Sequence, residues 1–204
     1  KDDATLFGIT DRADPPDANK LDFKDYYGSS AGTLGEGISA DLSNGVNIVA
    51  GQTDCDFVRA TRLYLEDSHN ANINVVMWSW CSIAGHSVAD YLSGMQKLIN
   101  DYGQGGSKVG ADKVRTVPVT FIFMTGHAES GSNVGTGKPR DQAKLITDYC
   151  EAHGYYCIDY YSIDSHDMDG KYWEDVDDNG YSSAAGRNFY LTWQEAHKKG
   201  EDWF

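Results

Sequence analysis

Two histidines, two serines and a run of carboxylates are the residues of this chain whose types and spacing suit chemistry. His127 stands in Thr125-Gly126-His127-Ala128-Glu129, directly after an apolar run. An imidazole held over a sheet edge by a glycine turn suits a general base, provided a carboxylate such as Asp164 or Glu129 orients it. Ser79 and Ser82 flank Trp80-Cys81 at the end of another apolar run, so each reads as a nucleophile or an oxyanion donor. Neither lies in a G-x-S-x-G or G-D-S context, so a structural hydroxyl is the plainer reading of both. His127 likewise has a plainer reading, a loop residue that fixes local geometry. His86, at a helix start, and Asp11, in Gly8-Ile9-Thr10-Asp11, read as loop residues.

The acidic stretch carries a different chemistry. Asp164, Asp167, Asp169, Glu174, Asp175, Asp177 and Asp178 follow one another closely and repel unless water or a cation screens them. Asp175-Val176-Asp177-Asp178-Asn179-Gly180 matches the first half of a calcium loop, where alternating oxygens face the ion and glycine makes the turn. The twelfth position is Gly186 rather than a bidentate Glu, so the EF-hand is incomplete. Asp167 and Asp169 are the expected source of the missing oxygens. The expected Ca2+ ligands are thus Asp167, Asp169, Asp175, Asp177 and Asn179, set against a solvated acidic loop. No organic cofactor is implied.

These residues need elements to hold them. Apolar runs of strand length at 74–80, 118–124 and 155–160 read as strands buried on both faces of a parallel sheet. Helical spacing marks 55–66, 88–102 and 140–152, the last opened by Pro139 and stopped by Gly154. A strand over 5–9, loops over 11–19, 27–37 and 103–113, a short strand over 46–50 and a last helix over 188–198 complete the pattern. Strands alternating with helices predict an α/β fold, a three-layer α/β/α sandwich around a parallel sheet. At 204 residues the chain is read as a single domain, 1–204. In such a sheet ligands bind beyond the carboxyl ends of the strands, where Ser79, Ser82, His127 and Asp164 fall.

Charge and cysteines narrow the setting. A formal charge of −14 repels a phosphate backbone, which argues against nucleic acid. No apolar run approaches the roughly 18 residues of a membrane span. With 22 Gly, 13 Tyr, 5 Trp and 4 Cys, the composition reads as a secreted, extracellular protein, against a cytosolic one with buried thiols. The four cysteines allow three connectivities, and none lies in a zinc pattern. Cys55 and Cys81 are expected at one edge of the sheet and Cys150 and Cys157 at the other, so disulfides 55–81 and 150–157 are predicted.

The runs NVVMWSWCSI (74–83), TFIFMTGHAE (120–129), ITDYC (146–150) and SIDSHDMDGKYW (162–173) resemble secreted bacterial SGNH/GDSL-like hydrolases, over about half the chain. The resemblance implies an SGNH-hydrolase/flavodoxin-like sheet and an esterase acting on acylated glycans. In that family the serine follows the first strand, Gly and Asn complete the oxyanion hole, and Asp and His close the triad near the C-terminus. This sequence departs from the pattern: no serine block precedes Thr5, Ser79 to Ser82 hold no oxyanion Asn, and the chain stops at Asp202-Trp203-Phe204. The nucleophile is accordingly expected on a missing or separate segment, such as a companion fragment. The alternative expectation is a non-catalytic binding or structural component of an extracellular assembly.

Overall fold

The computed structural model describes residues 8–11, 20–23, 54–80, 83–128 and 135–166. β1 (Gly8–Asp11) and β2 (Lys20–Phe23) pair in parallel as a two-stranded sheet. The rest builds from α1 (Asp56–Glu66), a 3-10 turn (Ser68–Asn70), β3 (Val75–Trp78), α2 (Val88–Tyr102), β4 (Thr120–Met124), α3 (Pro139–His153), β5 (Tyr156–Ile158) and α4 (Tyr160–Ser165). β3, β4 and β5 form a parallel sheet in sequence order with β4 in the centre. The predicted α/β class with a parallel sheet is therefore present.

Local chemistry sets the helix ends. Ser87 accepts the Asp90 N–H at 3.2 Å and so caps α2. Pro139 occupies the first turn of α3, where its missing N–H costs nothing. Gly154 ends α3 in the left-handed region at φ 66°, its N–H turned to the Cys150 and Glu151 carbonyls. Asp159 caps α4 by accepting the Ser162 N–H. That cap explains a departure from the pattern: the strand predicted over 155–160 stops at Ile158, and the next residues turn into a helix the apolar run hides.

Alternate residues of the strands face the helices. Val76 lies beside Phe121, Trp78 beside Phe123, and Phe123 beside Cys157. This row packs against Phe57, Tyr91, Met95, Leu98 and Ile146, all essentially inaccessible to solvent. Each such side chain contributes about 1.5–3 kcal/mol. Phe57 of α1 stacks on Trp78 with ring centroids 4.3 Å apart. Gly94 is what lets α1 approach α2, because a Cβ there would fall 2.6 Å from Phe57 Cζ.

The opposite face of the three strands is not packed against α1, α2 or α3. Val75, Met77 and Tyr156 are 44%, 42% and 69% exposed. Right-handed crossovers that step from β3 to β4 to β5 in one direction put α2 and α3 on the same face. Covering the other face requires the strand order to reverse, which these three strands do not do.

Arg115 ties the layers together from a buried position. Its guanidinium donates to the carbonyls of Leu65 (2.7 Å), Asn70 (3.3 Å), Ala71 (3.1 Å) and Ile73, joining the end of α1 to the start of β3. The predicted bridge between Cys150 and Cys157 is not closed: the two are thiols, hydrogen-bonded to one another across α3 and β5. Cys55 Sγ lies 3.9 Å from the Asp90 carbonyl oxygen, and its predicted partner Cys81 lies outside the described residues. The strand predicted over 46–50 and the helix over 188–198 lie outside them too. β1 runs through Asp11, which the pattern assigns to a turn.

Candidate functional site at the carboxyl edge of the sheet

At the carboxyl edge the parallel strands diverge and leave backbone groups to be satisfied, and side chains take up that role. Tyr91 reaches up from α2, donates its hydroxyl to the Trp78 carbonyl (2.8 Å) and accepts the Met124 N–H (3.1 Å), which joins the tips of β3 and β4. Burial raises its phenol pKa well above the usual range, so this bridge stays neutral. Ser79 does the same one residue later: its hydroxyl faces the carbonyls of Trp80 (2.9 Å) and Thr125 (3.2 Å).

Thr125 is the hub joining β4 to β5. Its N–H donates to the Ile158 carbonyl (3.1 Å), its hydroxyl donates to Asp159 Oδ1 (3.1 Å), and Thr125 Oγ1 in turn accepts the Tyr161 N–H (2.8 Å). Asp159 is further held by the Ser162 N–H (3.2 Å) and hydroxyl (2.5 Å). Sequence reasoning misses both Thr125 and Asp159; the D-x-x-S spacing from Asp159 to Ser162 is the signal that marks a cap there.

His127 follows immediately. Gly126 is needed here for close approach and not for a positive φ: a Cβ would meet Ile83 Cβ at 2.9 Å and Ile83 N at 3.2 Å. The His127 ring turns its Nδ1 to the Ala128 carbonyl oxygen at 2.5 Å. A carbonyl only accepts, so Nδ1 carries the proton and Nε2 is the basic nitrogen of the neutral ring. The other side of that peptide is gripped by Asp164, whose Oδ2 accepts the Ala128 N–H at 2.9 Å. Asp164 is buried, and the loss of water raises its carboxyl pKa, offset in part by the Ala128 N–H and by nearby His127. His127 and Asp164, paired in the sequence reading, lie close together, and the link between them runs through the Ala128 peptide: carboxylate to N–H, then C=O to imidazole.

His86 stacks on Trp80 with centroids 4.8 Å apart and an 8° interplanar angle, and its carbonyl accepts Gln142 Nε2 at 2.8 Å. This fixes the loop before α2 against α3. Ser79 and His127 thus stand on adjoining strand tips, with Asp164 packed behind the second. Ser82 and Glu129 lie outside the described residues, as do Asp167, Asp169, Asp175, Asp177 and Asn179. Among the described residues no group of three or more His, Cys, Asp or Glu could hold a metal ion. None of their helices is long and apolar enough to cross a membrane.

No family model, curated protein or solved structure matches this chain.

Proposed function

We propose that this chain is an extracellular SGNH-type, hydrolase-like protein that cleaves acyl esters from glycans. The observation that carries the reading is the relay from Asp164 through the Ala128 peptide to His127 Nδ1 at the carboxyl edge of a parallel sheet. In this reading Nε2 takes the proton of a nucleophilic hydroxyl as that oxygen attacks the ester carbonyl. It then returns the proton to the departing sugar hydroxyl, and water repeats the cycle to release the acid. Asp164 is a positioning residue. Ser79 has one O–H, already committed to two carbonyls, so the nucleophile is Ser82 or a hydroxyl from a separate segment.

Two finer features belong to the same reading. The exposed apolar face of Val75, Met77 and Tyr156 is what a three-layer SGNH/flavodoxin-like sandwich would cover with a second helical layer, for which 188–198 is the expected helix. Calcium at Asp167, Asp169, Asp175, Asp177 and Asn179 would neutralise the acidic stretch.

Hydrolysis of p-nitrophenyl acetate and acetylated xylan by the full chain tests the proposal. His127→Ala is expected to lower turnover by about 10²–10⁴, and Ser82→Ala against Ser79→Ala separates the two serines. Absence of turnover with any acyl ester refutes it. The locked hydroxyl of Ser79 favours a second reading, a non-catalytic binding component of an extracellular assembly, for which inert His127→Ala and wild-type chains would retain equal affinity for the glycan.

A further inference from the structure

Resting on the esterase reading, we infer that Trp80 and His86 are the donors that hold the acyl carbonyl oxygen as it becomes an oxyanion. Acyl transfer needs donor groups set toward that oxygen before charge develops on it. Ser79 does not supply one, because its hydroxyl is committed to the Trp80 and Thr125 carbonyls.

Trp80 carries the observation that points to a ligand. Its indole is wedged against Trp78 and Tyr91, with ring centroids 5.0 and 5.2 Å away. The Nε1–H is buried there and meets no acceptor among the described residues. Buried donors are nearly always paired, because an N–H stripped of water and given nothing in return is costly. An indole N–H only donates, so what completes it is an acceptor oxygen, and an ester carbonyl or a carboxylate provides one.

His86 lies flat on that indole, 4.8 Å away with an 8° interplanar angle. The scaffold takes His86 by its backbone: its N–H donates to the Ile83 carbonyl (3.2 Å) and its carbonyl accepts Gln142 Nε2 (2.8 Å). Gly85 makes the turn before it at φ 79°. Neither ring nitrogen is hydrogen-bonded to a described residue, and an imidazole carries an N–H in either charge state. Nearly parallel rings hold their N–H bonds in neighbouring planes, so one oxygen at their common edge accepts from both. The pair adjoins the base: Ile83 packs on Gly126, the residue before His127, and Ser79, next to Trp80, reaches Thr125. As the new C–O bond forms, the carbonyl π pair moves onto the held oxygen, and it returns when the sugar oxygen leaves. Both donors keep their protons throughout.

Proton–nitrogen correlation spectra of the full chain, titrated with sodium acetate against sodium chloride at equal ionic strength, test this without turnover. Trp80 is one of 5 Trp, and its indole resonance is the one missing from Trp80→Phe. Acetate offers a carboxylate oxygen to the donor pair, so that resonance is expected to move downfield while the other indoles stay. His86→Phe keeps a ring on Trp80 and should weaken acetate about tenfold, whereas His86→Gln restores a donor and most of the affinity. With p-nitrophenyl acetate, Trp80→Phe should lower kcat by about 10²–10³ with KM little changed. Should Trp80→Phe misfold, His86→Phe against His86→Gln carries the same comparison. A Trp80 resonance indifferent to acetate, or kcat unchanged in both Trp80→Phe and His86→Phe, overturns the inference. A chain that binds acetate at Trp80 but hydrolyses no ester keeps the donor pair and loses the esterase. Hydrolysis undiminished in both variants does the reverse.

Discussion

Oxidation of Cys150 and Cys157 should staple α3 to β5. Cys150 sits in the last turn of α3 and Cys157 in the middle of β5, with the Gly154 turn between them. The thiols are hydrogen-bonded to one another, and that contact, with burial, pushes the Cys150 thiol up while the same hydrogen bond draws Cys157 down. Thiol–disulfide exchange with glutathione disulfide would form one S–S bond, the two protons and two electrons leaving as two glutathione thiols. The loop so closed has about eight residues, for which the chain-entropy relation gives about 2.5 kcal/mol at 25 °C. For a chain of this length that is a rise in Tm of about 5–10 °C. Equilibration in glutathione buffer, followed by intact mass and thermal melting with and without reductant, measures it. Cys157→Ala should lose the part of the reductant-dependent Tm shift that this bridge contributes. An oxidised chain that keeps both thiols, or a bridged chain whose Tm does not fall on reduction, would refute the reasoning.

Three other substitutions probe the scaffold and the site. Arg115→Leu leaves four carbonyls between α1 and β3 without their buried donor and should cost about 3 kcal/mol, read as a lower urea midpoint at unchanged slope. Gly126→Ala drives a Cβ into Ile83 and should cost about 1–3 kcal/mol; because the strain falls one residue before His127, kcat should drop more steeply than stability. Asp164→Ala removes the acceptor for the Ala128 N–H and should lower kcat by about a hundredfold with little change in KM, whereas Asp164→Asn keeps an acceptor oxygen and should restore most of it. Stability separates those variants by pH. The folded carboxyl of Asp164 binds its proton more tightly than the unfolded one, so its stabilising contribution is complete below the unfolded value and is lost as pH rises through the folded one. The Tm of Asp164→Asn should therefore gain on wild type from acid to neutral pH, and a gap that closes instead contradicts the sign.

The legible parts of the fold are those set by local rules. The helix over 88–102 agrees at both ends because Ser87 and Gly103 punctuate it in the sequence, and Gly154 stops α3 as its type demands. Strands were visible as apolar runs, but a run says nothing about where the ladder ends. It cannot show that Asp159 prefers capping a helix to extending β5, nor that Val75 and Met77 face away from the helices. Chemistry was legible as far as residue type and strand end allow, which brings His127 and Asp164 together. The Ala128 peptide as connector was not, because a backbone group leaves no trace in residue identity. Arg115 was equally silent: an arginine in a polar loop looks like surface until four carbonyls from distant positions converge on it.

The committed hydroxyls at the sheet edge argue for a division of labour. Parallel strands end with carbonyls and N–H groups pointing into a widening gap, and a chain that leaves them unpaired loses stability with each one. Tyr91, Ser79 and Thr125 spend their hydroxyls on that gap, and Asp159 spends both carboxylate oxygens fixing Thr125 and the turn into α4. Side chains so used cannot also serve as nucleophile or base without releasing the backbone they hold. His127 is different, because its backbone contact consumes Nδ1 and leaves the chemistry of the ring at Nε2. The same edge therefore gains its rigidity from the residues that resemble a catalytic set by type, and the proposed esterase chemistry falls to the one whose second nitrogen makes no contact required by that bridging.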